Sequence, residues 1–260
     1  MEDAESLSTL LQDVVFMETV GMRPILVHGG GKAIDRAMAA AGLKTRKVQG
    51  RRYTDEETLR IVVDVLTREI NTDIVRQIRA FGGRAVGLHS ESLQVLFGER
   101  LMLKDEWGEP IDLGRVGTVS RVDSDAIASF CAADVVPVIP SLALDAEGHW
   151  LNINADTAAA AVARHLRVEK FVLLTDTPGI LRDRRDPDSL IAGVDAKECE
   201  HLIASGVIDE GMIPKVEACF EALRAGVPKA HIVDGGLRHS LLLEIYTDKG
   251  VGTEIVLERP

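Results

Sequence analysis

The chain has 260 residues, 46% of them apolar, only 4% aromatic, and a formal charge of −11. That length and apolar content support a packed core in one large α/β domain or in two lobes, and argue against disorder. So acidic a chain repels a phosphate backbone, and its few aromatics offer no base-stacking surface, which argues against nucleic-acid binding.

In chain order, Leu7, Leu10, Leu11, Val14, Val15 and Val20 recur at helical spacing and predict a first helix that Gly21 stops. Ile25-Leu26-Val27-His28 predicts a short strand, cut off by Gly29-Gly30-Gly31. A helix from Lys32 to Ala41 follows, ending at Gly42. From Asp55 to Arg79 the pattern is that of one long helix, with Thr54 as N-cap and Glu57 completing a capping box. Short β runs broken by glycine between Arg84 and Val122 predict hairpins. A helix over 126–133, a strand over 135–144 and an Ala-rich helix from Asn154 to Leu166 come next. Phe171-Val172-Leu173-Leu174 reads as a strand buried on both faces of a parallel sheet. Helices near Asp195–Ala204 and Met212–Ala225, a strand at Ala230–Val233 and a helix from His239 complete the chain. Strands alternating with helices predict βαβ units, and the lack of a linker predicts lobes joined through a continuous sheet.

Cys131, Cys199 and Cys219 are isolated, with no CxxC pair, and read as reduced, buried thiols. The N-terminus is acidic and carries no signal-peptide pattern, and no apolar run approaches the ~18 residues that span a bilayer. The expectation is a cytoplasmic protein with no membrane partner.

Five segments could carry chemistry. His28-Gly29-Gly30-Gly31, between a strand and a helix, lets backbone approach an anion at a helix start. Leu26 and Ala33 rule out a Walker A loop, and Ile34 rules out a dinucleotide fingerprint. Gly50-Arg51-Arg52-Tyr53-Thr54-Asp55 offers a guanidinium fork for a carboxylate, although adjacent arginines are more often a solvated pair. In Asn152-Ile153-Asn154-Ala155-Asp156-Thr157, Asn154 is a natural N-cap and Asp156 sits favourably in the first turn. Leu174 to Leu181 ends the most apolar strand, where ligands of open α/β sheets gather. Gly211-Met212-Ile213-Pro214-Lys215 places a lysine on the first turn of a helix.

Together, VHGGG, GRRYTD, NINADTAA, LLTDTPGIL, GMIPKVEA and the closing YTDKGVGTEI resemble acetylglutamate kinases of the amino-acid kinase superfamily, in order and spacing, over nearly the whole chain. The resemblance implies an open three-layer α/β/α sandwich with a mainly parallel central sheet. It places an amino-acid lobe over residues 1–166 and a nucleotide lobe over 167–260. The implied reaction is transfer of a phosphoryl group from ATP, carrying Mg²⁺, to the side-chain carboxylate of N-acetyl-L-glutamate in arginine biosynthesis. Gly30 and Gly31 would cradle the substrate and the transferring group, Arg52 would hold the α-carboxylate, and Asn152 and Asn154 would help bind the acylated amino acid. Lys215 would neutralise charge on the phosphoryl group, with Asp156 organising the catalytic lysines. Thr175, Asp176, Pro178, Gly179, Ile180 and Leu181 would line the nucleotide pocket, with Asp209, Glu210 and Gly211 helping. No residue cluster reads as a dedicated metal cage.

The resemblance also implies a homodimer or a hexamer built of dimers, and the segment Tyr246–Thr253 resembles the arginine-inhibited branch. Family members begin with a strand ending in Lys-x-Gly-Gly, whereas only Met1-Glu2-Asp3-Ala4 precedes the first helix here. The expectation is that Met1 is not the start of the working protein and that upstream DNA encodes such a strand. Two other readings stay open: a kinase of acylated 2-aminoadipate, one CH₂ longer, and a regulator that binds nucleotide and amino acid without turnover.

Overall fold

The computed structural model describes residues 4–49, 51–105, 107–209, 211–247 and 250–258. Their contacts form two units, one of Met17–Ala159 and one joining the residues up to Phe16 to those from Ala160 onward.

Helix α1 (Ala4–Thr19) opens the chain, with Leu10, Leu11 and Val14 buried, as the spacing of its leucines predicts. In the Met17–Ala159 unit, β1 (Leu26–His28) leads through the glycine loop into α2 (Gly31–Ala40). The two-residue strands β2 (Lys47–Val48) and β3 (Arg51–Arg52) pair antiparallel. Helix α3 (Glu56–Asp64), a π-helical stretch (Val65–Asn71) and α4 (Thr72–Ala80) follow without a break. This corrects the single long helix, and its cap is also one residue later than expected. Asp55 is the N-cap, accepting the Thr58 N–H at 2.8 Å. Its short carboxylate, on an exposed residue, fits that role, while Thr54 is fully buried.

Strands β4 (Ala85–Gly87), β5 (Leu96–Lys104) and β6 (Pro110–Val122) come next, β5 and β6 forming the long hairpin that the glycine breaks predict. After α5 (Ser124–Ala132), the strand expected over 135–144 divides at Ser141 into β7 (Val136–Pro140) and β8 (Leu142–Leu144). Strand β7 lies between β1 and β4 in a parallel sheet, and its five residues are all buried. Strand β8 leaves that sheet for a small closed barrel with β5, β6 and β9 (Trp150–Ile153), which no periodicity in the sequence announced. Ile34, Met38, Val62, Val65, Leu66 and Leu142 form a core that locks α2 and the π-helical stretch together. Each such side chain contributes roughly 1.5–3 kcal/mol on burial.

Helix α6 (Ala155–Leu166) runs into the second unit, where β10 (Phe171–Thr175), β11 (Gly193–Val194), α7 (Ala196–Ala204), α8 (Ile213–Arg224), β12 (Ala230–Asp234), α9 (Ser240–Tyr246) and β13 (Thr253–Ile255) follow. The sheet order is β10-β12-β13-β11, parallel except for the β12–β13 pair.

The mainly parallel α/β architecture is therefore present, but among the described residues the three-stranded sheet of β1, β7 and β4 and the four-stranded sheet of β10–β13 are separate, beside the β2–β3 pair and the barrel, rather than one continuous sheet. Strands β1 and β10 are edges, each bonded on one side among the described residues. Phe171 and Leu173 are buried while Val172 and Leu174 are half-buried, so β10 alternates instead of being covered on both faces.

Candidate active site

In the Met17–Ala159 unit, the glycine loop is shaped by what lies beneath it. A Cβ on Gly30 would sit 2.6 Å from Ile70 Cδ1 and 2.8 Å from Leu66 Cδ2, so any larger residue would have to displace those two side-chain ends. A Cβ on Gly29 would meet that of Ala155 at 3.0 Å, whereas one on Gly31 would meet nothing within 4 Å. The space over Gly31 is open, at the start of a helix whose first N–H groups have no acceptor in their own helix. That is the chemistry of an anion site.

Arg52 faces this loop. Its Nη2 donates to the Gly31 carbonyl at 3.2 Å, and its Nη1 donates to Asp35 Oδ1 at 2.6 Å and lies 3.1 Å from Thr45 Oγ1 and 3.2 Å from Met38 Sδ. The side chain is 10% exposed, which separates it from a solvated surface arginine. The Arg52 hydrogen bond draws the Asp35 carboxyl below its ordinary range; slight burial opposes this, and the Thr45 hydroxyl reinforces it.

Thr54 joins the next segment to Arg52. Its hydroxyl donates to the Arg52 carbonyl at 3.0 Å and accepts Asn152 Nδ2 at 3.0 Å, across 98 residues of chain. Asn152 is thereby brought to Arg52. Asn154 performs the N-cap role, its Oδ1 taking the Thr157 N–H at 3.0 Å and the Thr157 hydroxyl at 3.3 Å. Asp156 lies in the first turn of α6.

In the other unit, β10 delivers Thr175 and Asp176 to the carboxyl end of its sheet. The Thr175 hydroxyl lies 3.4 Å from Asp176 Oδ1, and its carbonyl accepts the Gly235 N–H at 2.8 Å. After Thr177 and Pro178 the chain turns against β13. Gly179 has φ +140°, and a Cβ there would lie 2.6 Å from Thr253 Oγ1. The same hydroxyl accepts the Ile180 N–H at 2.9 Å and donates to the Ile191 carbonyl at 2.7 Å. Ile180 is 2% exposed, and Leu181 bridges to Leu190, so both serve the packing of this loop.

Asp209 organises the entry to α8. Its Oδ1 accepts the Gly211 and Met212 N–H groups, each at 3.1 Å, and its carboxylate is paired with Arg184. Lys215 follows in the first turn, its backbone N–H bonded to the Met212 carbonyl at 3.0 Å. Pro214 suits that turn because an N–H there needs no helical acceptor. Glu210 lies outside the described residues.

A group that the sequence reading passed over is Asp145, Glu147 and His149, whose ligand atoms lie within 4.8 Å of one another. Asp145 Oδ1 accepts the N–H groups of Glu147 and His149 at 3.1 and 2.7 Å, and Arg115 stands 3.6 Å from its Oδ2. These bonds close the β8–β9 turn, and the nearby guanidinium opposes a cation. Among the described residues no helix is long and apolar enough to cross a membrane.

The amino acid kinase family model matches residues 1–234. The chain belongs to that family. It is 44% identical over 260 residues to the acetylglutamate kinase of Akkermansia muciniphila, covering 100% of this chain and 87% of that one. It is 43% identical over 261 residues to the acetylglutamate kinase of Methanothermobacter thermautotrophicus, covering 98% and 89%. Among solved structures, N-acetylglutamate synthase from Neisseria gonorrhoeae with coenzyme A and N-acetyl-glutamate aligns at TM-score 0.86, with 25% identity over 99% of this chain and 57% of that one. The same synthase with coenzyme A and L-arginine aligns at 0.82, with 25% identity over 98% and 59%.

For this member of the amino acid kinase family, the sequence reading missed Asp35, Thr54 as a buried joint, Arg184, and the Thr253 hydroxyl as the anchor of the Gly179 loop. Asp35 had a signal, a carboxylate one turn into the helix after a glycine loop. Thr253 and Arg184 had none, because their partners are distant in sequence.

Proposed function

We propose that this chain transfers the γ-phosphoryl group of ATP to the side-chain carboxylate of N-acetyl-L-glutamate. The observation that carries this reading is the guanidinium of Arg52 at 3.2 Å from the Gly31 carbonyl, which puts a carboxylate reader beside an anion-binding loop.

The amino-acid lobe, residues 1–166, binds the acceptor. Arg52 takes its α-carboxylate, Asn152 and Asn154 bind its acylated amine, and the N–H groups of Gly30 and Gly31 meet the reacting oxygens. The acceptor carboxylate is ionised at neutral pH, so no general base is required. What the reaction demands is positioning and neutralisation of two approaching anions. Lys215 stabilises charge on the transferring group and Asp156 orients the lysine machinery.

The nucleotide lobe, residues 167–260, binds ATP through Thr175 to Leu181 and Asp209 to Gly211. The donor set suits a polyphosphate, with a helix start and a lysine on its first turn. Mg²⁺ carried by ATP supplies further neutralisation of the phosphate oxygens. The three cysteines, buried and unbridged, suit the reducing cytoplasm. The working assembly is a homodimer or a hexamer of dimers, and arginine inhibits through the segment from Tyr246 to Thr253. Arginine inhibition is supported by the likeness to the arginine-bound synthase.

A coupled assay of ADP release tests the activity, with N-acetyl-L-glutamate and acylated 2-aminoadipate compared at equal concentration. Turnover with the glutamate derivative is expected, and it slows as arginine rises to millimolar levels. Faster turnover of the aminoadipate derivative would reassign the substrate. Binding of nucleotide and amino acid without ADP release would make the chain a regulator.

A further inference from the structure

Beneath the glycine loop is a pair of side chains to which nothing above gives a role. Asn71 ends the π-helical stretch and is 1% exposed. Its Nδ2 lies 3.0 Å from the Val138 carbonyl and 3.0 Å from His28 Nε2. On the far side of the same ring, His28 Nδ1 lies 3.1 Å from the Gly29 carbonyl.

These contacts fix the protons. The Val138 carbonyl only accepts, so the Asn71 atom facing it is the amide nitrogen, a donor. Its second proton points at His28 Nε2, which must then accept. The Gly29 carbonyl also only accepts, so His28 Nδ1 must carry the proton. The ring is neutral and protonated at Nδ1, which is the tautomer both neighbours require. A Cβ on Gly87 would fall 2.0 Å from Asn71 Oδ1, so the carboxamide occupies the space that any larger residue there would fill.

We propose that Asn71 and His28 are positioning residues that aim the Gly30 N–H at the bound anion. In a trans peptide the carbonyl and the N–H point to opposite sides, and the described residues contain no cis bond. Pinning the Gly29 carbonyl toward His28 therefore turns the Gly30 N–H away from the ring, toward the open side of the loop. The chain of contact runs from the π-helical turn through Asn71, the imidazole and one peptide plane to a donor. Neither side chain touches substrate.

The aim of that donor rests on the reading of Gly30 as a phosphoryl and carboxylate ligand; the tautomer does not. The test is ¹⁵N NMR of the histidine rings in the full 260-residue chain at neutral pH, with His28→Asn used to assign the signals. His28 is expected to show a protonated Nδ1 and a bare Nε2. Protonation at Nε2 in the parent overturns the proposal. For function, His28→Gln keeps an acceptor near the old Nε2 but leaves no donor for Gly29. Its kcat is expected to fall at least ~10-fold, the low end for a misdirected preorganised donor, with KM for ATP within about twofold. His28→Asn, which retains a donor near Nδ1, is expected to recover most of that loss. Equal rates for His28→Gln and the parent overturn the proposal even if the tautomer is right. A parent with the expected ring but no ADP release overturns the kinase reading instead and leaves the His28–Gly29 lock standing.

Discussion

Arg52 and Asp35 are joined at 2.6 Å, and the same guanidinium reaches the Gly31 carbonyl at 3.2 Å. The carboxylate fixes one arm of the fork and the loop fixes the other, so the guanidinium plane is set before any ligand arrives. An ammonium group cannot hold both anchors and a bound carboxylate in that plane. Arg52→Lys is expected to raise KM for acetylglutamate at least ~10-fold, with a smaller change in kcat. Arg51→Lys is the internal reference. A larger KM effect from Arg51 in steady-state kinetics would move the clamp to that residue.

Lys215 stands in the first turn of α8, whose entry Asp209 and Arg184 hold in place. A lysine that meets charge developing on the phosphoryl group acts on the transition state more than on binding. Lys215→Ala is expected to lower kcat by at least ~10² with nucleotide affinity nearly unchanged. Turnover within a factor of two of the parent would remove the residue from the chemistry.

Acid should destabilise the Met17–Ala159 unit through His28. Burial lowers the His28 pKa from 6.5 to about 4; its bond to the Gly29 carbonyl works the other way, and nearby His89 adds to the lowering. The unfolded chain binds this proton near pH 6.5 and the folded chain near pH 4, so stability falls as pH drops between those values. The loss is up to about 3 kcal/mol, and less where the ring retains solvent contact. Urea unfolding at pH 7 and pH 4.5 checks it. The difference between the parent and His28→Asn should shrink in acid, and a constant difference contradicts the shift.

Gly179 and Thr253 form one joint in the second unit. With φ +140° and a Cβ position 2.6 Å from Thr253 Oγ1, Gly179→Ala is both strained and crowded. A loss of about 2–4 kcal/mol is expected in chemical denaturation. Thr253→Val keeps the shape but strands the Ile180 N–H and the Ile191 carbonyl, with an expected loss of about 1–3 kcal/mol. If both variants match the parent midpoint, the loop does not depend on this joint.

The sequence by itself determined much of this protein. Its local grammar placed α1, the glycine loop, the β5–β6 hairpin and the Asn154 cap, because each depends on residues within a few positions of one another. It also marked the segments that carry Arg52, Asn152, Thr175 and Lys215. Tertiary structure decided the rest. Thr54, read locally as a cap, became the buried joint between Arg52 and Asn152 once two strands distant in sequence came together. Asn71 is the clearest case. In a straight α-helix it would lie ~180° around from buried Val62, nine positions earlier at ~100° per residue. The wider π turn carries it to the inner face, where its carboxamide meets His28 and Val138. Periodicity counts residues along one helix, and it has no access to a turn whose geometry is set by partners on other strands.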